Sequence, residues 1–148
     1  MAIEYTLYFD SNRPALELHQ VICICVGERP ATTLSDVYPF SGLGLQGAVL
    51  VPDELTREFV REDFSVNPRV QVNFRLDKFN LMSAQDSLAR CISALATADA
   101  GDMILLFNGE MVVLQRREGD LLLREGFGVW TPERILLFTT PHRIGSIS

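Results

Sequence analysis

At 148 residues, 47% of them hydrophobic, the chain is long enough to build one core that buries roughly 70% of the surface its unfolded form exposes, and it is read as a single domain, 1–148. A formal charge of −6 argues against a general nucleic-acid-binding surface, which depends on clustered Lys and Arg, and favours solubility or a basic partner. No apolar run approaches the ~20 residues that span a bilayer. Met1-Ala-Ile-Glu-Tyr5 lacks the basic start of a secretory leader, and the three cysteines, Cys23, Cys25 and Cys91, read as buried reduced thiols. The expected setting is therefore the cytoplasm, with no membrane partner.

Ile3–Phe9 alternates, with Ile3, Tyr5, Leu7 and Phe9 on one side, and predicts a half-buried strand. Pro14–Val26 predicts a helix, because Pro14 suits a first turn and Ala15, Leu18, Ile22 and Cys25 recur at spacings of three and four. Val21–Val26 is also compatible with a strand. From Glu28 to Pro68 the pattern weakens. Leu43–Val51 is the best strand candidate there, and Asp53–Glu62 predicts a short amphipathic helix with Leu55 and Phe59 as its apolar pair.

Val70–Asp77 alternates again, with Gln71, Asn73 and Arg75 on its polar side. Ser83 and Asp86 approximate a capping box for a helix that runs to about Ala98 and is ended by Gly101. Asp102–Phe107, Glu110–Arg116 and Leu121–Glu125 then form a meander turned by Asn108-Gly109 and Glu118-Gly-Asp120, because Asn-Gly supplies the two positive-φ positions of a tight hairpin. Arg134–Thr140 predicts a fourth meander strand. Met103–Phe107, Met111–Leu114 and Leu121–Leu123 are apolar on both faces, so both need cover. The fold class is α+β: an antiparallel, meander-containing sheet with two main helices on one face, the other face being left to residues 28–68 or to a second subunit.

No catalytic, cofactor or metal site emerges. Gly42-Leu-Gly-Leu-Gln-Gly47 has the letters of a dinucleotide loop but precedes a strand broken by Pro52 rather than a helix, so a turn or bulge explains it. His19 reads as a helix-surface residue and His142 as a tail residue, and neither has a partner nucleophile in view. Cys23 and Cys25 point about 200° apart on a helix and cannot share an ion. Asp77, Asp102, Glu110, Glu118, Asp120 and Glu133 lie at strand ends and turns, where a glycosidase pair would sit, but turn chemistry accounts for them. Trp130 reads as a core plug under the last connection. Glu54, Glu58, Glu62 and Asp63, interrupted by Arg57 and Arg61, read either as a solvated face with i, i+4 pairs or as an acidic docking surface.

Arg75-Leu-Asp-Lys-Phe79, Gly101–Glu110, Val113-Leu-Gln-Arg116, Leu121-Leu-Leu123, Trp130-Thr-Pro132 and the opening Ile3-Glu-Tyr-Thr-Leu7 together resemble the immunity-protein family that protects soil bacteria from sibling intraspecies toxins. Arg124-Glu125 departs from that pattern, where Asn is usual. The resemblance implies a cytoplasmic antitoxin that binds one cognate protein toxin without catalysis or cofactor. The candidate contacts are Glu54, Glu58, Glu62 and Asp63, then Gln71, Asn73 and Arg75. Two other readings stay open: a small-molecule-binding or enzymatic domain with a pocket between the sheet and residues 28–68, and a structural homodimer built on the doubly apolar meander.

Overall fold

The computed structural model describes residues 3–147. Met1, Ala2 and Ser148, part of the expected 1–148 domain, lie outside the described residues, as does the start of the stretch read for a leader. The chain runs β1 (Ile3–Phe9), α1 (Ala15–Val26), β2 (Val37–Gly42), β3 (Leu45–Leu50), α2 (Glu54–Phe64), β4 (Val70–Leu76), a 3-10 turn (Lys78–Asn80), α3 (Leu81–Ala98), β5 (Met103–Phe107), β6 (Met111–Arg117), β7 (Asp120–Arg124), α4 (Pro132–Ile135) and β8 (His142–Gly145). The strands form one eight-stranded sheet in the order β2-β3-β4-β1-β5-β6-β7-β8. Every pairing is antiparallel except β7 with β8.

Alternation decides which face each strand buries. Tyr5, Leu7 and Phe9 of β1 and Val70, Val72, Phe74 and Leu76 of β4 join Met103, Leu105 and Leu114 in the main core, under Leu18, Ile22 and Val26 of α1 and Leu88, Ile92 and Leu95 of α3. The expected α+β class with two main helices on one face is therefore observed. On the opposite face, Val60 of α2 and Val66 close over Ile104 and Leu106, with Tyr8, Phe64 and Val112 around them. Residues 28–68 thus supply cover for the second face of the meander at Ile104 and Leu106. An irregularity in the β5–β6 register sets Leu114 opposite Leu105 and Val112 opposite Leu106. The extra residue, Val113, is turned into the core. Its carbonyl accepts the Trp130 indole N–H at 2.8 Å, so Trp130 plugs the core as expected.

Several expectations need correction. Arg134–Thr140 is not a strand: Thr131 Oγ1 accepts the Arg134 N–H and Pro132 opens α4, so the strand beside β7 is the later, parallel β8. Ser83 and Asp86 do not form a capping box, because α3 already begins at Leu81. Ser83 offers its carbonyl to the Ser87 hydroxyl, and Asp86 pairs with Arg134 at 2.7 Å. The segment Val37–Gly42 is a strand that alternation did not announce. Gly42 and Gly44, with Leu43 at φ 52° between them, make the β2–β3 hairpin turn rather than a phosphate loop. Gly47 lies between Phe40 and Phe74 in register, and with no side chain there the two rings meet edge to face, centroids 5.6 Å apart.

Candidate functional site

α2 is started and stopped by local chemistry. Asp53 Oδ1 accepts the Thr56 N–H at 2.8 Å, a bond that, with the Thr56 hydroxyl behind it, holds the Asp53 carboxyl below its usual range. Ser65, at φ 57°, returns its N–H to the Arg61 carbonyl and closes the helix. At about 100° per residue, Val60 and Phe64 point to the sheet, while Glu54, Leu55, Glu58, Phe59 and Glu62 point away from it. Asp63 lies at the edge of that outer face, and all six of these outer residues are exposed. Leu55 is 78% exposed and Phe59 46%, so the apolar pair read from the sequence does not face the sheet. The inward pair is Val60 and Phe64, about 140° round the helix.

The charges of α2 do not cancel along it. Arg61 reaches seven residues back to Glu54 at 3.3 Å, and Arg57 turns its Nε to the Pro68 carbonyl. Among the described residues, no ion pair closes on Glu58, Glu62 or Asp63. The expected i, i+4 pairs are replaced by like charges at that spacing, Glu54 to Glu58 to Glu62, which weaken a helix. Glu62 and Asp63 also lie in the last turn, where the helix dipole disfavours carboxylates.

Beside α2 the same sheet face is open. Tyr8, under α2, is in register with Gln71, so the polar side of β4 continues outward from the foot of the helix. Gln71 Nε2 donates to Asn73 Oδ1 at 3.0 Å. Arg75 is exposed and faces Glu4 and Gln46 on the flanking strands. A shallow hollow of ≈ 340 Å³ lies between Glu4, Thr6, Gln46, Asn73 and Arg75, and a second of ≈ 470 Å³ continues past Arg75 to Lys78 and Phe79. The two groups of sequence candidates, on α2 and on β4, therefore share one side of the sheet. Residues 28–68, where the sequence placed a pocket against the sheet, contribute Gln46 and Gly47 to the first hollow and Ser41, Gly44, Leu45 and Gln46 to the second.

The remaining candidates are drawn into structure. His19 is 3% exposed, not a surface residue. Its Nε2 bonds the Pro39 carbonyl at 2.9 Å and its ring touches the Cys23 sulphur. Cys23 and Cys91 are buried free thiols, but Cys25 is only half-buried. Among the turn carboxylates, Asp102 accepts the Glu118 N–H and Asp77 the Phe79 N–H. Asp120 forms a two-point pair with Arg143 of β8, which holds its carboxyl below the usual range. Among the described residues no group of three or more His, Cys, Asp or Glu side chains is suited to a metal, and no helix is long and apolar enough to cross a membrane.

A family model described as SitI3-like matches residues 3–134. The match takes in the middle third of the chain, which the motif resemblance left aside. No curated protein matches, and no solved structure matches.

Proposed function

The chain belongs to the SitI3-like family, and from that premise we propose that it is an immunity protein, a cytoplasmic antitoxin that binds one cognate protein toxin in fixed ratio and blocks it without chemistry. Family membership across residues 3–134 carries the reading, since SitI-type names are those of immunity proteins. The acidic outer face of α2 supports it. Glu54, Glu58, Glu62 and Asp63 meet a basic surface on the toxin, and Gln71, Asn73 and Arg75 extend the contact along the open sheet. Close charge pairs across such an interface couple by about 1.5–7 kcal/mol, and the long-range field steers the encounter.

Co-expression with the reading frame adjacent to this chain's gene tests the proposal. Rescue of growth together with co-purification is the expected result. Replacing Glu54, Glu58 and Glu62 by Gln and Asp63 by Asn is expected to reduce both. Full protection and an unchanged association rate in that variant would remove the acidic face from the mechanism.

A further inference from the structure

We infer that the outer face of α2 is an apolar anchor set in an acidic frame, and that it seats on a toxin segment presenting an apolar cleft ringed by Lys and Arg. The inference rests on the immunity reading and specifies the chemistry of its partner. Three features of α2 each cost the free chain something. Leu55 and Phe59 stand in solvent at 78% and 46% exposure although Val60 and Phe64 already supply the helix's contact with the sheet. Glu54, Glu58 and Glu62 repel one another at i, i+4. Glu62 and Asp63 oppose the dipole at the C-terminal turn. Breaches of local preference that gather on one exposed face mark a functional surface.

The geometry is that of an interface centre. On the helical wheel Leu55 and Phe59 lie about 40° apart, with the Glu54-Glu58-Glu62 stripe along one side and Asp63 along the other. Phe59 also rests its ring edge to face on Phe64, centroids 6.0 Å apart, so this anchor is held in place before a partner arrives and loses little freedom on binding. Apolar side chains that insert centrally and a charged rim that excludes wrong partners are how compact interfaces divide the work.

Charge selects the occupant. Nucleic acid and anionic lipid are repelled by the stripe. A second copy related by a two-fold axis would present the same surface to itself and bring two acidic stripes together. A basic protein surface with an apolar cleft satisfies both parts at once.

The test uses the full chain and the purified product of the adjacent reading frame. Leu55→Ser with Phe59→Ser is expected to weaken binding about 100-fold, mainly through faster dissociation and with little change in salt dependence. Glu54→Gln with Glu58→Gln and Glu62→Gln is expected to slow association about tenfold at low salt and to flatten its salt dependence. Melting temperature is measured alongside so that binding is compared between folded proteins: Phe59→Ser gives up the contact with Phe64 and lowers it somewhat, whereas relief of the repulsion along the stripe leaves the Glu variant about as stable as the parent or more so. Parent-like binding by the Leu55/Phe59 variant overturns the anchor, and an unchanged salt slope in the Glu variant overturns the frame. If the parent sediments as a dimer that the Leu55/Phe59 variant disrupts while partner binding persists, the occupant is a second copy and the inference is wrong. A parent chain that binds nothing fails the immunity reading itself, and this inference with it.

Discussion

Leu55 and Val60 sit five residues apart on α2 and point away from each other: Val60 is fully buried against the second face of the sheet, and Leu55 is 78% exposed. Truncation separates their roles. Val60→Ala removes buried methyl groups and leaves a cavity beneath α2, and should cost about 2 kcal/mol. Leu55→Ala should stay within about 0.5 kcal/mol of the parent. Urea midpoints for the two variants check this, and similar losses would mean that Leu55 is part of the core.

That pair also shows where the sequence stops being legible. Leu55/Phe59 and Val60/Phe64 are both apolar at i, i+4, and nothing local says which faces the sheet. The choice is made by Ile104 and Leu106, far along the chain. Strands β1 and β4 were readable because each buries one face and alternates cleanly. The Asn108-Gly109 turn was readable because both residues take positive φ, 50° and 76°. β2 was hidden by Pro39, which reads as a breaker. Pro39 is tolerated because β2 is the edge strand, where a missing N–H breaks no ladder bond, and its carbonyl is taken by His19. Ile135-Leu-Leu-Phe138 looked like a strand, but Thr131-Pro132 had already started a helical turn. The acidic candidates on α2 were visible as letters. Their lack of neutralising partners required the fold.

Arg116 is buried in β6, and among the described residues no carboxylate lies within ion-pair distance of it. Its guanidinium donates to the carbonyls of Ala96, Asp99 and Gly101 at the end of α3 and lies over the Phe9 ring. Arg116→Met leaves three carbonyls short of donors and should cost about 3 kcal/mol in chemical denaturation. Arg116→Lys should recover only part of this, because a single ammonium cannot span the fork. Full recovery by Lys would show that charge alone matters there.

The Cys91 thiol donates to the Cys25 sulphur and brings the Cys25 pKa down to about 7, while burial pushes Cys23 up to about 11. Iodoacetamide should therefore modify Cys25 first, with a half-maximal rate near pH 7. Cys91→Ala should move that midpoint up toward ordinary thiol values. Because the folded-state pKa is depressed, ionised Cys25 favours the fold as pH rises from about 7 toward 9, and the contribution is lost as pH falls through 7. Equal labelling of Cys23 and Cys25 at pH 7.5 would contradict the assignment.

Neutralisation by binding differs from neutralisation by chemistry in its dependence on molar ratio. Residual activity of the proposed toxin partner can be titrated with increasing amounts of the purified chain and followed over time. Stoichiometric binding predicts a linear fall to a sharp end point at a fixed ratio, the same at early and late times. Complete inactivation by a small fraction of an equivalent, deepening with time, would contradict it and make the chain a catalyst.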